Sequence, residues 1–256
     1  MKLTIIGCSG SVPGPAAPAP CYLVEADGFR LVLDLGNGAL AALQDRISAF
    51  DIDALAFSHL HPDHCADFSA LAVLRQYHPT PPYRPEERRL PVHGPSDTHR
   101  RFAAQYAPND KERLTTDFCG VFDFHPLTAE SVQIGPLKVT SALVTHPCEA
   151  YGFRVEHNGR SLVYSGDTAP CAALDDLAAG ADLLLAESTW TDLPTRPADM
   201  HMSGRQAGQT AGRAGVGRLM LTHIAPWTDP QVVLAEARGE FDGEVLLAGQ
   251  GRSYEV

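Results

Sequence analysis

The chain contains no linker, no low-complexity run and no short internal repeat. Nothing in its 256 residues marks a boundary, and the length suffices for one large core, so a single domain spanning residues 1–256 is expected. No apolar stretch approaches the ~20 residues of a membrane helix. The opening MKLTIIGC hints at a lipoprotein cleavage site, but the apolar run before the cysteine is too short for a signal segment. It reads better as a first strand, Leu3–Ile6. The six cysteines include no C-x-x-C pair, which fits reduced, mostly buried thiols and a soluble, cytoplasmic protein. A basic stripe is missing too. The formal charge is −11, and the two basic clusters, Arg84-Arg88-Arg89 and Arg100-Arg101, are interleaved with acidic or polar residues. A protein that grips long nucleic acid depends on phosphate contacts, so that class of partner is disfavoured, as is a membrane.

What is present is a crowding of imidazole. Residues 58–67 read SHLHPDHCAD, placing His59, His61, Asp63 and His64 within six positions of a chain that has 11 histidines. Ala54–Phe57 reads as a short buried strand ahead of them, and Pro62 forbids a continuous helix through the cluster. His59 and His61 then leave the strand on alternate positions, facing the same way. Asp63 and His64 follow at the turn into a helix from Ala66 to Tyr77. Neutral imidazole and carboxylate are the usual ligands of zinc and related ions. Four of them on so tight a turn overfill one ion, which points to two neighbouring divalent ions, zinc first, with manganese or iron as alternatives. Such a pair would make the pocket locally positive, so a small anionic substrate suits even this acidic chain.

The same habit recurs downstream. SALVTHP, LVYSGDT, LLLAE and LMLTH each end a run of strand type on a polar group: His146, Asp167, Glu187 and His223. His201 stands just before SGRQAG, where Ser203 and Gln206 form a capping box. Such groups are costly to bury unpaired, so a repeated strand-then-ligand pattern suggests convergence at one edge of the fold. Strands are expected at CYLVEA, FRLVLDL, VFDFH, SVQI, LKVTSALVT, YGFRVEH, RSLVYSG, ADLLLAE and RLMLTH. Helices are expected at Gly38–Arg46, Thr98–Tyr106, LDDLAAG and SGRQAGQTAGRAG. The irregular, Pro-rich YHPTPPYRPEERR begins at Tyr77, and residues 78–90 are a candidate lid beside the metal loop. Two strand-rich halves, each followed by helices, suggest an α/β (α+β) protein with two sheets face to face and helices outside.

HLHPDH, the isolated THP histidine, SGDT and LTHI, in this order, resemble the metallo-β-lactamase superfamily, a four-layer αββα sandwich with a two-metal site. The resemblance runs over essentially the whole chain. It implies His59, His61 and His146 on one ion and Asp63, His64 and His223 on the other. Asp167 would bridge them, with the attacking water held between the ions. Asp63 is thereby counted among the catalytic residues as well as the ligands. Asp34, closing RLVLDLG, either holds a ligand histidine from behind or simply ends a strand. AESTW and HMSGRQAG resemble the Glu/His pair of the ribonuclease Z branch, which implies catalytic roles for Glu187 and His201, as orienter and general acid; the alternative is that His201 only packs at the helix start. The tRNA-clasping arm of that branch has no room between His146 and Asp167. GCSGSVPGP, GPSDT and LTHIAPW look most like an arm-less actinobacterial subgroup associated with cyclic-nucleotide phosphodiesterase activity. The expected function is hydrolysis of a small phosphodiester such as a 3′,5′-cyclic nucleotide. The alternatives are tRNA 3′ processing, and hydrolysis of a carboxylic ester, lactone or thioester. The expected partner is that small anionic diester, and a homodimer is allowed.

Overall fold

Successive side chains of a strand point to opposite faces, and here the two faces enter different cores. In a computed structural model describing residues 1–256, Leu31 and Leu33 face one core while Val32, between them, faces another. Leu183 and Leu185 likewise face the first core and Leu184 a third. Three apolar layers therefore separate four layers of structure, helix–sheet–sheet–helix, which is the arrangement the sequence pattern implies.

The first sheet contains β1 (Lys2–Gly7), β2 (Cys21–Ala26), β3 (Phe29–Leu33), β4 (Ala54–Ala56), β5 (Leu90–Gly94) and β6 (Phe122–Pro126). The second contains β7 (Ser131–Ile134), β8 (Leu137–Leu143), β9 (Tyr151–His157), β10 (Arg160–Tyr164), β11 (Leu183–Glu187), β12 (Arg218–Thr222) and β13 (Glu244–Leu247). A last strand, β14 (Ser253–Glu255), crosses back to pair antiparallel with β1, giving the first sheet the order β14-β1-β2-β3-β4-β5-β6. Each sheet begins with antiparallel hairpins and continues as parallel strands, β3 to β6 and β10 to β13. Parallel strands share a direction, so their carboxyl ends, and the loops that leave them, collect on one edge.

Helices α1 (Ala39–Gln44), α2 (Pro62–Cys65), α3 (Phe68–Tyr77), α4 (Thr98–Tyr106) and α5 (Asp110–Arg113) follow strands of the first sheet. Phe68 of α3 stacks on Phe102 of α4 at 3.9 Å, over Phe57 and Phe122. Helices α6 (Ala172–Ala178), α7 (Gly204–Ala214) and α8 (Pro230–Arg238) cover the second sheet through Leu174, Ala207, Ala211 and Val233.

Three expectations need correction. His59 and His61 do leave the end of a strand, but its alternation does not carry through them: β4 stops at Ala56, His59 is in the loop, and His61 is the N-cap residue of α2, with Pro62 first in the helix. Proline is tolerated there because the first turn has no use for its missing N–H, so Pro62 starts a helix that contains Asp63 and His64. The longer helix then begins at Phe68 rather than Ala66. Finally, residues 78–90 are not a lid on the metal loop. Arg75, buried at the end of α3, donates to the Tyr83 hydroxyl and the Arg88 carbonyl, and Tyr83 donates to the Phe50 carbonyl. Arg88 pairs with Asp53 at 2.6 Å. Asp53 precedes β4 whereas the histidine loop follows it, so the segment is fastened at the opposite end of that strand.

Candidate metal centre

His59, His61, Asp63 and His64 leave the carboxyl end of β4; His146, Asp167 and His223 follow β8, β10 and β12. All seven meet at the edge where the two sheets' loops face each other, in two groups. His59, His61 and His146 form a trio, and Asp63, His64, Asp167 and His223 a quartet. In the trio, Nδ1 of His61 lies 3.0 Å from Nε2 of His59 and 3.1 Å from Nε2 of His146. In the quartet, Nε2 of His223 lies 3.2 Å from Nε2 of His64 and 3.2 Å from an Asp63 oxygen.

Asp167 stands between the groups. Its Oδ1 is 3.3 Å from His64 and 3.4 Å from His223, while Oδ2 is 3.7 Å from His59. Oδ1 is buried and has no hydrogen-bond partner. A buried orphan oxygen is costly unless something positive meets it. Imidazole nitrogens this close, with lone pairs towards a common centre, need the same remedy. The donor set therefore fits divalent cations, as hard carboxylate and borderline imidazole ligands do.

Partners on the far side of His64, His223 and His146 fix which nitrogen is free. Nδ1 of His64 donates to Asp34 at 2.8 Å, leaving Nε2 for the centre. Asp34 is fully buried and also accepts from the Tyr164 hydroxyl, the Ser58 hydroxyl and the Ser58 N–H. Of the two roles open to Asp34, it takes the bracing one. Nδ1 of His223 meets the Thr189 hydroxyl at 2.8 Å, and Nδ1 of His146 donates to the Met200 carbonyl at 3.0 Å. Such outer contacts fix tautomer and ring orientation.

The backbone is held to match. Asp34 and His223 both occupy left-handed conformations, φ 57° and 56°, which L residues adopt only when their surroundings impose it. Gly36 and Gly10 allow close packing here: a Cβ at Gly36 would lie 1.8 Å from the Asp63 carbonyl oxygen, and one at Gly10 would lie 2.1 Å from that of His223. Ser58, Tyr164, Thr189, Gly10 and Gly36 are supporting residues that sequence reasoning did not single out. Tyr164 was within reach, since inward-facing Leu162 two positions earlier puts its hydroxyl inside.

Electrostatics separate the groups. Burial lowers the basicity of His59, His61 and His146, with His64 adding to the effect on His59. Burial also disfavours charge on His64, but Asp167 and Asp34 outweigh it and hold that ring well above the usual histidine range. Burial works against the Asp63 and Asp167 carboxylates, yet the neighbouring imidazoles keep both well below the normal carboxylate range.

Beside the quartet, Nδ1 of His201 donates to Glu187 Oε1 at 2.9 Å and lies 3.7 Å from Asp167 Oδ2. Glu187 is fully buried and also accepts from the N–H of Thr168, the N–H of Thr189 and the Thr189 hydroxyl. Burial opposes protonation of His201, but Glu187 and then Asp167 overcome it and raise the ring to about 9. Glu187 and His201 are thus brought together, as their motifs imply. The capping box of Ser203 and Gln206 fixes the start of α7 immediately after His201.

A β-lactamase superfamily domain matches residues 30–224. An uncharacterized protein of Mycobacterium leprae is 45% identical over 100% of this chain and 89% of its own length. A ribonuclease Z of Mycolicibacterium gilvum is 32% identical, over 90% of this chain and 86% of its own. The crystal structure of the metallo-β-lactamase fold protein YhfI from Bacillus subtilis matches with a TM-score of 0.83 at 26% identity, over 99% of each chain.

Proposed function

Because the chain belongs to the β-lactamase superfamily and is one of its metallo-hydrolases, we propose that it is a phosphodiesterase acting on a small diester, best a 3′,5′-cyclic nucleotide. The observation that carries this reading is the His201–Glu187 pair set against Asp167. With Nδ1 committed to Glu187, His201 keeps Nε2 for a substrate, the position of a general acid that protonates a leaving alkoxide oxygen. A poor leaving group such as a ribose oxygen needs that proton.

His59, His61 and His146 would hold one divalent ion, and Asp63, His64 and His223 a second, with Asp167 shared. Zinc suits the donors best. When bound, the ions supply a water nucleophile at neutral pH and neutralise charge gathering on the phosphate oxygens. Asp34 and Thr189 keep their histidines aimed, and Glu187, itself fixed by three donors, holds His201 in one tautomer.

A second reading, tRNA 3′ processing, is favoured by the ribonuclease Z relative. Against it, the chain between His146 and Asp167 is taken up by β9 and β10, leaving no insertion to clasp tRNA, and the charge is −11. The test is a cleavage screen of cAMP, cGMP, linear dinucleotides and a tRNA precursor with metal-loaded protein. Cyclic nucleotides should be cleaved and the precursor spared. Faster removal of a tRNA 3′ trailer would reverse the order. Turnover of lactones or S-lactoylglutathione without any diester would reject both.

A further inference from the structure

β11 and α7 are joined by an irregular connection running from Ser188 to Ser203. Connections of that length without strand or helix are uncommon in compact domains and often carry binding. Two adjoining cavities open on it, about 520 Å³ and 360 Å³, sizes in the range of small-molecule sites. Leu193 and Arg196 line both. His201 faces the larger; Trp190 and Trp227 wall the smaller.

Each wall has unspent capacity. Trp227, four residues after His223, is 68% exposed, although an indole is the side chain with most to gain from cover. Trp190 meets the His201 ring edge-on at 5.0 Å, so the smaller cavity continues from the His201 side of the centre. Arg196 finds one carboxylate, Asp192, at 3.3 Å. Asp192 is already shared with Arg205 at 2.9 Å and the Ser203 hydroxyl at 3.1 Å, so most of the Arg196 N–H groups remain free.

We propose that the two cavities form a nucleoside subsite, in which the nucleobase stacks on Trp227 and Arg196 donates to acceptor atoms of the base or ribose. The proposal rests on the phosphodiesterase reading and extends it. A leaving oxygen protonated by His201 must lie at the Nε2 edge of its ring, so the group attached to it runs into the cavity that His201 lines. Stacking suits any base, because every base has a π face, whereas Arg196 can only donate and selects for acceptors.

The chain has two tryptophans, so in Trp190→Phe the indole fluorescence comes from Trp227 alone. Titrating this metal-loaded variant with a nucleoside 5′-monophosphate should quench it, and ribose 5-phosphate should not. In wild type, the nucleotide should inhibit bis(p-nitrophenyl) phosphate turnover more tightly than ribose 5-phosphate by roughly 5- to 150-fold, the worth of one stacked base. Trp227→Ala should remove most of that ratio, leaving only what Arg196 contributes, with ribose 5-phosphate inhibition unchanged, and Trp227→Phe, which keeps a ring, should retain most of it. An unchanged ratio in Trp227→Ala, or no quenching, would overturn the subsite. Absence of turnover on any diester would instead reject the phosphodiesterase reading, while the fluorescence titration would still report on the subsite.

Discussion

The trio and the quartet use the same chemistry in different surroundings. In the trio, His59 is buried but His61 and His146 reach the surface, and His61 has no partner behind its ring. In the quartet, His64, Asp167 and His223 are buried, and Asp34, Tyr164 and Thr189 stand behind them, while the Ser58 hydroxyl lies nearer His59 of the trio, at 3.1 Å. Ligand identity is thus only part of a metal site: the rigid, dry half has its orientation built in, and the open half leaves room for exchange and for substrate.

The largest effect that would break this contrast is Asp167→Ala, which removes the one group shared by both halves. Metal analysis should show both sites weakened together, with turnover falling by several orders of magnitude; loss of a single ion would show that Asp167 serves one half only. His201→Ala should leave metal content intact and lower cyclic-nucleotide hydrolysis roughly 10²- to 10⁴-fold. A p-nitrophenyl diester, whose leaving group needs little protonation, should suffer far less, and equal losses on both would make His201 a phosphate-binding group. Asp34→Asn should weaken the quartet, which it braces directly, by roughly 10- to 100-fold in a chelator competition, and the trio, which it reaches only through Ser58, by less. In wild type, mild chelation should correspondingly remove one ion before the other.

The smallest expected effect concerns pH in the metal-free protein. His201 is raised from 6.5 to about 9, so its pairing with Glu187 contributes stability that is full below pH 6.5 and lost as pH rises through about 9. The melting-temperature gap between metal-free wild type and His201→Gln should therefore be wide at pH 6 and narrow at pH 10. A gap independent of pH would mean the pair adds nothing through charge.

The quartet was legible mainly through its ligands, the fold mainly through its alternation. CYLVEA, SVQI and YGFRVEH are strands over the expected residues: CYLVEA alternates between two cores, YGFRVEH turns Tyr151, Phe153 and Val155 into one, and SVQI, at the edge of its sheet, buries only Ile134. β5, LPVHG, was not read, since proline and histidine obscure its alternation, and only its parallel neighbours β4 and β6 make it a strand. β14 has three residues and exists through pairing with β1 at the other end of the sequence, a contact no local pattern announces. α8 carries a local signal of its own, Asp229 capping a helix that begins at Pro230. The supposed lid failed for a different reason: adjacency in sequence to the histidine loop says nothing about which end of β4 a segment returns to.

His59 to His64 belong to the first sheet's loops, and His146, Asp167 and His223 to the second's. A cation shared between them is therefore a reversible cross-link across the sandwich, closing a loop of chain from His64 to His223. Loop-closure entropy grows only slowly with length, so one tether over so long a span restrains the unfolded chain much as a disulfide does. Unlike a disulfide, its strength follows the free metal concentration. As that concentration falls, the sheets lose their clasp at the ligand edge first, while the apolar layer between Leu31 and Phe153 still holds them face to face.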